Sequence, residues 1–242
     1  MRLAGRRWRT SVSAARLGGE TYRVVRPARP IAHGVLHDCR FGPVMAVDKA
    51  ATVDLAFAWW LAARSPRSLV YLPLRANPFT CQDNASDDGR KLDLVLLHHS
   101  LQFPVSRWKQ VRARLSPAAT HTVEMPAGAF RSFDRADHER TYHREFHDHL
   151  RWSVAADTLF LVGSRPAFEL AGEQLRALAE DGPAEVVAWP DSYCCAEIGV
   201  GQGNGLHRHE RNPPARLHID RCHEHWPAPV RAPRKSTRAA AR

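Results

Sequence analysis

The chain has 242 residues, of which 44% are hydrophobic and 25% are charged, a usual composition for a globular protein with one well-buried domain. No stretch reaches the roughly 18 apolar residues of a membrane-spanning helix, and no apolar run follows the N-terminal arginines, so neither a membrane helix nor a secretory signal is predicted. The five cysteines show no C-x-x-C spacing and do not indicate a disulfide framework, so a cytoplasmic location is expected.

The net charge of +10 is concentrated at the two ends of the chain. Residues 1–31 hold eight Arg and one Glu, and residues 231–242 hold four Arg and one Lys without any acid. We therefore expect a basic, largely disordered arm over residues 1–31, an α/β domain over 32–205, and an irregular tail rich in His, Arg and Pro over 206–242. Basic tails of this kind predict weak, non-specific contact with nucleic-acid phosphates as one alternative function.

The first elements predicted for the domain are a strand, a helix and a strand. A short apolar run at residues 44–47 ends at Asp48, a favourable N-cap for a helix over 50–63. That helix is apolar on nearly every side and should be buried. Residues 68–74 are predicted to form the next strand.

Residues 92–97 form a continuous apolar run, which is typical of a strand covered on both faces. The elements predicted around it are an amphipathic helix over 105–115, a strand over 122–125 and a charged surface helix over 134–150. These segments place the most apolar strand near the centre of the domain.

The clearest unit is a strand over 158–162, a helix over 166–180 and a strand over 185–189. Proline in the first turn and Asp-Gly-Pro after the last turn delimit the helix. A β-α-β unit implies a parallel strand pair and a right-handed crossover. The predicted fold class is therefore α/β, with an open, mainly parallel, Rossmann-like sheet covered by helices.

In open parallel sheets, ligands bind beyond the carboxyl ends of the strands. The residues that follow the predicted strands are polar: Asp48, Arg75, His98, His99, Ser100, Ser164, Arg165 and Asp191. His98 and His99, with Asp48, are candidates for acid–base catalysis, and one of the two histidines should face the cleft while the other packs against a helix. The other five are candidates for binding an anionic, phosphorylated or nucleotide-like ligand. The predicted function is an enzyme or small-ligand binder of this kind.

Residues 197–205 have the sequence E-I-G-V-G-Q-G-N-G. This string resembles the E-x-G-x-G-x-G motif of class I S-adenosylmethionine-dependent methyltransferases, in which an acid follows a strand and glycines let a loop approach the cofactor. The resemblance covers nine residues and implies, as an alternative function, cofactor binding by Glu197, Gly199, Gly201 and Gly203. The family's following helix is not indicated here, because Pro213 and Pro214 interrupt the next segment.

Two groups of histidines raise the question of a metal. Glu139, His143 and His147 are spaced four residues apart and would share one stripe of a helix over 134–150. The second group lies near the C-terminus and comprises His207, His209, His218, Cys222, His223 and His225. Ion pairs along a charged surface helix and a His-rich irregular tail account for these patterns, so no metal site is predicted.

Overall fold

A computed structural model describes residues 2–39, 42–78, 89–115, 118–143, 145–182, 195–201 and 215–222. The strands in these ranges are β1 (Arg7–Leu17), β2 (Glu20–Pro27), β3 (Gly34–Cys39), β4 (Gly42–Val47), β5 (Ser68–Leu72), β6 (Arg90–Lys91), β7 (Asp93–His98), β8 (Ala119–Glu124), β9 (Arg151–Ala155), β10 (Thr158–Gly163), β11 (Cys195–Val200) and β12 (Ala215–Arg221). The α-helices are α1 (Lys49–Arg64), α2 (Trp108–Ala113), α3 (Arg135–Glu139) and α4 (Arg165–Glu180). The predicted strand at 185–189 and the C-terminal segment from 223 onward lie outside these ranges.

The strands form two mixed sheets rather than one parallel sheet. The larger sheet has the order β8-β1-β2-β5-β7-β10-β9 and the smaller one β11-β12-β4-β3-β6. Among the described strands of the larger sheet, only β2–β5 and β7–β10 are parallel pairs, and the other neighbours are antiparallel. The fold is mixed α/β, and the prediction of an open, mainly parallel, Rossmann-like sheet is wrong.

The physical reason is the position of the two long helices. Helix α1 leads from β4 in the smaller sheet to β5 in the larger one, and α4 follows β10 in the larger sheet, with β11 of the smaller sheet as the next described strand. One apolar cluster joins α1, α4 and the inner faces of both sheets. The helices therefore form a layer between two sheets and are not crossovers within one sheet.

Central strands of the larger sheet are covered on both faces, as the apolar run at 92–97 predicts. The inner face packs on α1 and α4, and the outer face packs on α2 through Trp108 and Val111. Trp59 lies at the centre of the helical layer, where its Nε1 donates a hydrogen bond of 2.8 Å to the Phe168 carbonyl. Within the described ranges, no helix combines the length and apolar character needed to cross a membrane.

The N-terminal segment is folded and is not the disordered arm predicted for residues 1–31. Strands β1 and β2 form a hairpin whose two-residue turn begins at Gly18 with φ +65°, a conformation that glycine adopts without strain. Trp8 is buried against Phe57, with ring centroids 5.7 Å apart, and its Nε1 donates to Asp54 at 2.8 Å. The arginines of β1 led to the prediction of a charged, disordered arm. They alternate with core residues, which is the pattern of a strand with one buried face.

The surface helix predicted over 134–150 is also shorter. A capping box between Asp134 and Asp137 begins α3, which ends at Glu139 and passes into a single 3-10 turn, Arg140–Tyr142. The stripe proposed for Glu139, His143 and His147 therefore does not form. Residues 146–150 instead run as irregular chain toward the end of β10.

Candidate functional site

The carboxyl ends of β7 and β10 lie side by side. The two strands are parallel and in register, with His98 opposite Gly163. The residues that follow them therefore emerge at the same edge, as expected for parallel strands. A pocket of about 230 Å³, which we call the strand-end pocket, is lined there by His99, His147, Asp148, His149, Arg151, Gly163 and Ser164.

The segment containing His147 is held at this edge by its neighbours. Leu150 is buried against Gly163, where a Cβ atom would lie only 2.6 Å from Leu150 Cδ2. The Leu150 carbonyl accepts a hydrogen bond of 2.6 Å from Gly201 N–H. Arg151 then begins β9, opposite Val162 of β10. The absence of a side chain at Gly163 is what lets this segment close the pocket.

The two predicted histidines take different roles. His98 Nδ1 accepts a hydrogen bond of 3.2 Å from Ser100 N–H, and Ser100 Oγ lies 2.8 Å from the same nitrogen. Burial lowers the pKa of His98, and the neighbouring His99 lowers it further. Nδ1 of His98 is therefore an acceptor that stabilises the turn, whereas His99 lines the pocket.

The sequence predicted that one of these histidines would face the cleft and that the other would pack against a helix, on the assumption that both belong to the strand. Their rings contact each other, with centroids 4.6 Å apart at 80°. Strand alternation ends at His98, because His99 is already the first residue of a 3-10 turn, His99–Leu101. His98 instead contacts Ser100 and the ring of His99.

Ser164 lines the pocket, but Arg165 does not. Ser164 is the N-cap of α4, and its Oγ accepts a hydrogen bond of 3.1 Å from Ala167 N–H. Its hydroxyl proton remains available to a ligand. Arg165 Nε donates to Glu169 Oε1 at 2.8 Å, and Pro166 has no amide hydrogen, so the first turn of α4 offers few free donors.

Asp48 and Arg75 lie elsewhere. Asp48 directly follows β4 of the smaller sheet. Its Oδ1 accepts from Ala51 N–H at 2.7 Å to cap α1, and its Oδ2 lies 2.9 Å from His33 Nδ1. Arg75 follows β5, which is antiparallel to β7, so it reaches the amino end of β7 and pairs with Asp157. Neither residue lines the strand-end pocket, and Asp191 lies outside the described ranges.

Three basic residues of the pocket were not predicted for this site: His147, His149 and Arg151. His147 and His149 were assigned to the helix predicted over 134–150, because that segment is charged and carries an i, i+4 pattern, and Arg151 directly follows it. Their own spacing is two residues, which is the period of extended chain. That spacing, directly before a strand, is the signal that indicates them.

A larger cleft of about 700 Å³ adjoins the strand-end pocket and shares Asp148 and His149 with it. It lies between α4 and β11 and includes Glu197, Gly199 and Gly201 in its wall. Glu197 and Gly199 are inside β11 and are not in a loop, so the geometry differs from that implied by the methyltransferase motif. Gly203 lies beyond the described ranges.

The outer face of the smaller sheet carries a group of side chains with metal-ligating atoms. One ligand atom each from Cys195, Glu197 and His218 lies within 4.8 Å of the others. Burial raises the pKa of the Cys195 thiol, and the carboxylates of Asp220 and Glu197 raise it further. Glu197 also forms an ion pair with Arg216.

Comparisons of the chain with protein-family models, curated proteins and solved structures find no match. The fold and the site define the class by themselves: a mixed α/β protein with two sheets separated by a helical layer and a polar pocket at the carboxyl ends of the parallel strands β7 and β10.

Proposed function

We propose that the protein binds a small anionic ligand, carrying a phosphate or carboxylate group, in the strand-end pocket. The observation that carries this proposal is the convergence of His99 and Ser164, which follow two parallel strands, with His147, His149 and Arg151. These residues come from three separate parts of the sequence. They supply imidazole, guanidinium and hydroxyl donors to one small space.

The chemistry of the lining favours an anion. Arg151 presents a guanidinium that suits planar or tetrahedral oxyanions, and Asp148 is the single acid among the lining residues. The N-terminus of α4 adds a partial positive charge beside Ser164.

The size of the pocket limits what it can hold. A volume of about 230 Å³ is smaller than the ~300 Å³ at which sites for whole drug-sized ligands begin, so it fits the anionic group of a ligand. The adjoining cleft offers the apolar side chains of Leu170, Ala171 and Ile198 to the remainder. A ligand with an anionic end and a partly apolar body fits both spaces.

Titration with inorganic phosphate, followed by calorimetry and by the NMR signals of the imidazoles, tests the proposal. Arg151→Gln and His99→Gln should each weaken phosphate binding, the arginine variant by about tenfold or more, since a charge-assisted hydrogen bond contributes ~1.5–3 kcal/mol. Arg23→Gln and His121→Gln are matched controls, because both residues are exposed on the hairpin side of the larger sheet. Equal weakening in the controls, or no binding by the wild-type protein, would contradict the proposal.

A further inference from the structure

The chain alternates metal-ligating residues with core residues in its last two described strands. In β11, Cys195 and Glu197 flank a buried alanine, and in β12, His218 and Asp220 flank a buried isoleucine. Alternate residues of a strand lie on the same face. The antiparallel register places Cys195 opposite Asp220 and Glu197 opposite His218, so all four side chains lie on the outer face of the smaller sheet.

The distances among these groups suit one shared ion. Oε1 of Glu197 lies 3.6 Å from Nδ1 of His218, and the ligand atoms of Cys195, Glu197 and His218 all lie within 4.8 Å of one another. In a tetrahedral zinc site with ligands ~2.0–2.3 Å from the ion, the ligand atoms lie about 3.3–3.8 Å apart. Side-chain rotations that shorten the longest separation by about 1 Å would place all three atoms on one ion.

His218 lies between two carboxylates on this face. Its Nε2 lies 2.6 Å from Oδ1 of Asp220, and its Nδ1 lies 3.6 Å from Oε1 of Glu197. In the tautomer that carries its proton on Nε2, Nδ1 can offer its lone pair to an ion beside Glu197. A carboxylate that holds the far nitrogen of a histidine is the usual partner of a metal-binding imidazole.

Glu197 is similarly oriented. One of its oxygens, Oε2, pairs with Arg216, and the other, Oε1, points toward His218. A cation placed between Nδ1 of His218 and Oε1 of Glu197 would be within reach of both atoms. The side chains of His218 and Glu197 are 28% and 41% exposed, so an ion can reach them from solvent.

We propose that Cys195, Glu197 and His218 bind one divalent ion of the zinc class, with Asp220 as the positioning residue for His218. A thiolate, an imidazole and a carboxylate together favour a borderline-soft ion such as Zn²⁺ over Mg²⁺ or Ca²⁺, which prefer oxygen ligands. Three protein ligands leave a fourth, solvent-facing position, as in zinc sites that bind water or substrate. The site is distinct from the strand-end pocket and does not depend on the proposed anion binding.

Cobalt titration of the full-length protein, first stripped with a chelator, tests the site. Co²⁺ reports a bound cysteine through a thiolate-to-cobalt charge-transfer band, which ions bound by the chain's many other histidines do not produce. We expect the wild-type protein to develop the band at one equivalent and to lose it on addition of one equivalent of Zn²⁺. Failure of the wild-type protein to develop the band would overturn the proposal.

Variants locate the ion. Cys195→Ser should abolish the band, whereas Cys39→Ser, which removes a half-buried cysteine of the same sheet, should retain it. Asp220→Asn should weaken the affinity for Co²⁺ by about 10–100-fold with the band still present at saturation, as is typical for partners of metal ligands. A band that survives in Cys195→Ser, or disappears in Cys39→Ser, would contradict the assignment.

A second variant decides the outcome if Cys195→Ser does not fold, as judged by circular dichroism. Glu197→Gln changes an exposed side chain, retains its volume and leaves the core unchanged. We expect the charge-transfer band to persist in this variant with an affinity at least tenfold lower. An unchanged affinity would exclude Glu197 as a ligand and overturn the three-residue site.

Discussion

The two ends of strand β7 are both polar, but they differ in how their polar groups are paired. At the amino end, Asp93 is 3% exposed and its carboxylate accepts hydrogen bonds from the Tyr71 hydroxyl (2.9 Å), the Arg75 amide (2.9 Å) and the Arg112 guanidinium (3.0 Å). At the carboxyl end, His99 is exposed and faces a pocket of about 230 Å³.

This difference separates a structural site from a binding site. The donors around Asp93 are directed at a partner within the protein, and a buried carboxylate is tolerated when it is paired in this way. The donors around His99 surround a space that a ligand can enter. Polar residues at strand ends look alike in the sequence, and only their partners distinguish the two cases.

The largest loss of folding stability is expected from a substitution of Asp93. Asp93→Ala leaves Arg112 half-buried without its partner, and loss of one member of a buried ion pair costs about 3–5 kcal/mol. Urea unfolding monitored by circular dichroism measures this loss. The control Glu124→Ala removes an exposed partner of Arg7 and should change the free energy of unfolding by about 1 kcal/mol or less. Equal losses of unfolding free energy in the two variants would contradict a structural role for the polar groups at the amino end of β7.

Asp54 is a partly buried carboxylate that accepts a hydrogen bond from Trp8. Burial raises its pKa to about 6, against a hydrogen bond from Trp8 that lowers it, and nearby Asp48 raises it further. The folded-state pKa lies above the unfolded value, so the stabilisation by the bound proton is complete below about pH 4 and is lost as the pH rises through about 6.

Asp54→Asn retains an acceptor for Trp8 and removes this ionisation. The variant should therefore match the wild-type protein at pH 4 and exceed its free energy of unfolding by about 3 kcal/mol at pH 8, at 1.36 kcal/mol per pKa unit. Urea unfolding at both pH values measures the difference. A variant that is less stable at pH 8 would show that the Asp54 charge is favourable.

Tyr71→Phe removes only one of the three donors to Asp93 at the amino end of β7. Burial raises the pKa of Tyr71, and Asp93 raises it further, so the hydroxyl remains a donor at high pH. Its removal leaves Asp93 two other donors and should cost about 1.5–2 kcal/mol, less than Asp93→Ala. A thermal or urea unfolding curve checks this order. A loss of unfolding free energy as large as that of Asp93→Ala would show that the Tyr71 hydroxyl is the main partner of the Asp93 carboxylate.

The smallest change in stability is expected at the carboxyl end. His99→Gln should leave the free energy of unfolding within about 0.5 kcal/mol, because the side chain is exposed. It should also raise the pKa of His98 by removing a neighbouring positive charge, although burial will still hold that pKa below its ordinary value. NMR titration of the imidazole signals follows this shift. An unchanged His98 pKa would show that the two rings do not interact electrostatically.

Local features that depend on neighbouring residues were predictable from the sequence. The apolar run at 92–97 predicted a strand buried on both faces, because water exclusion on both sides leaves no polar position in the strand. Helix α4 was predicted from Pro166 and the residues around it, since capping and the loss of an amide act within one turn. His99 and Ser164 were also identified, because each directly follows its strand.

The sheet arrangement was decided only by tertiary structure. An apolar segment reports that it is buried but not which strand lies beside it, so β4 and β5 were assigned to one sheet although α1 separates them. The hairpin β1–β2 was missed because its arginines counted as charge, while Trp8 and its neighbours alternated with them. Strand direction likewise depends on where the connecting helix leads.

Both candidate sites show the same division between local and tertiary information. His99 and Ser164 come from strand ends that the apolar pattern marks, but Arg151 joins them only because Leu150 packs on Gly163. Cys195 and His218 are separated by 22 intervening residues, and the pairing of β11 with β12 brings them together. The amino-acid sequence determined which short segments are buried and which side chains are chemically capable, whereas long-range pairing decided which of them meet, since those contacts depend on the whole core.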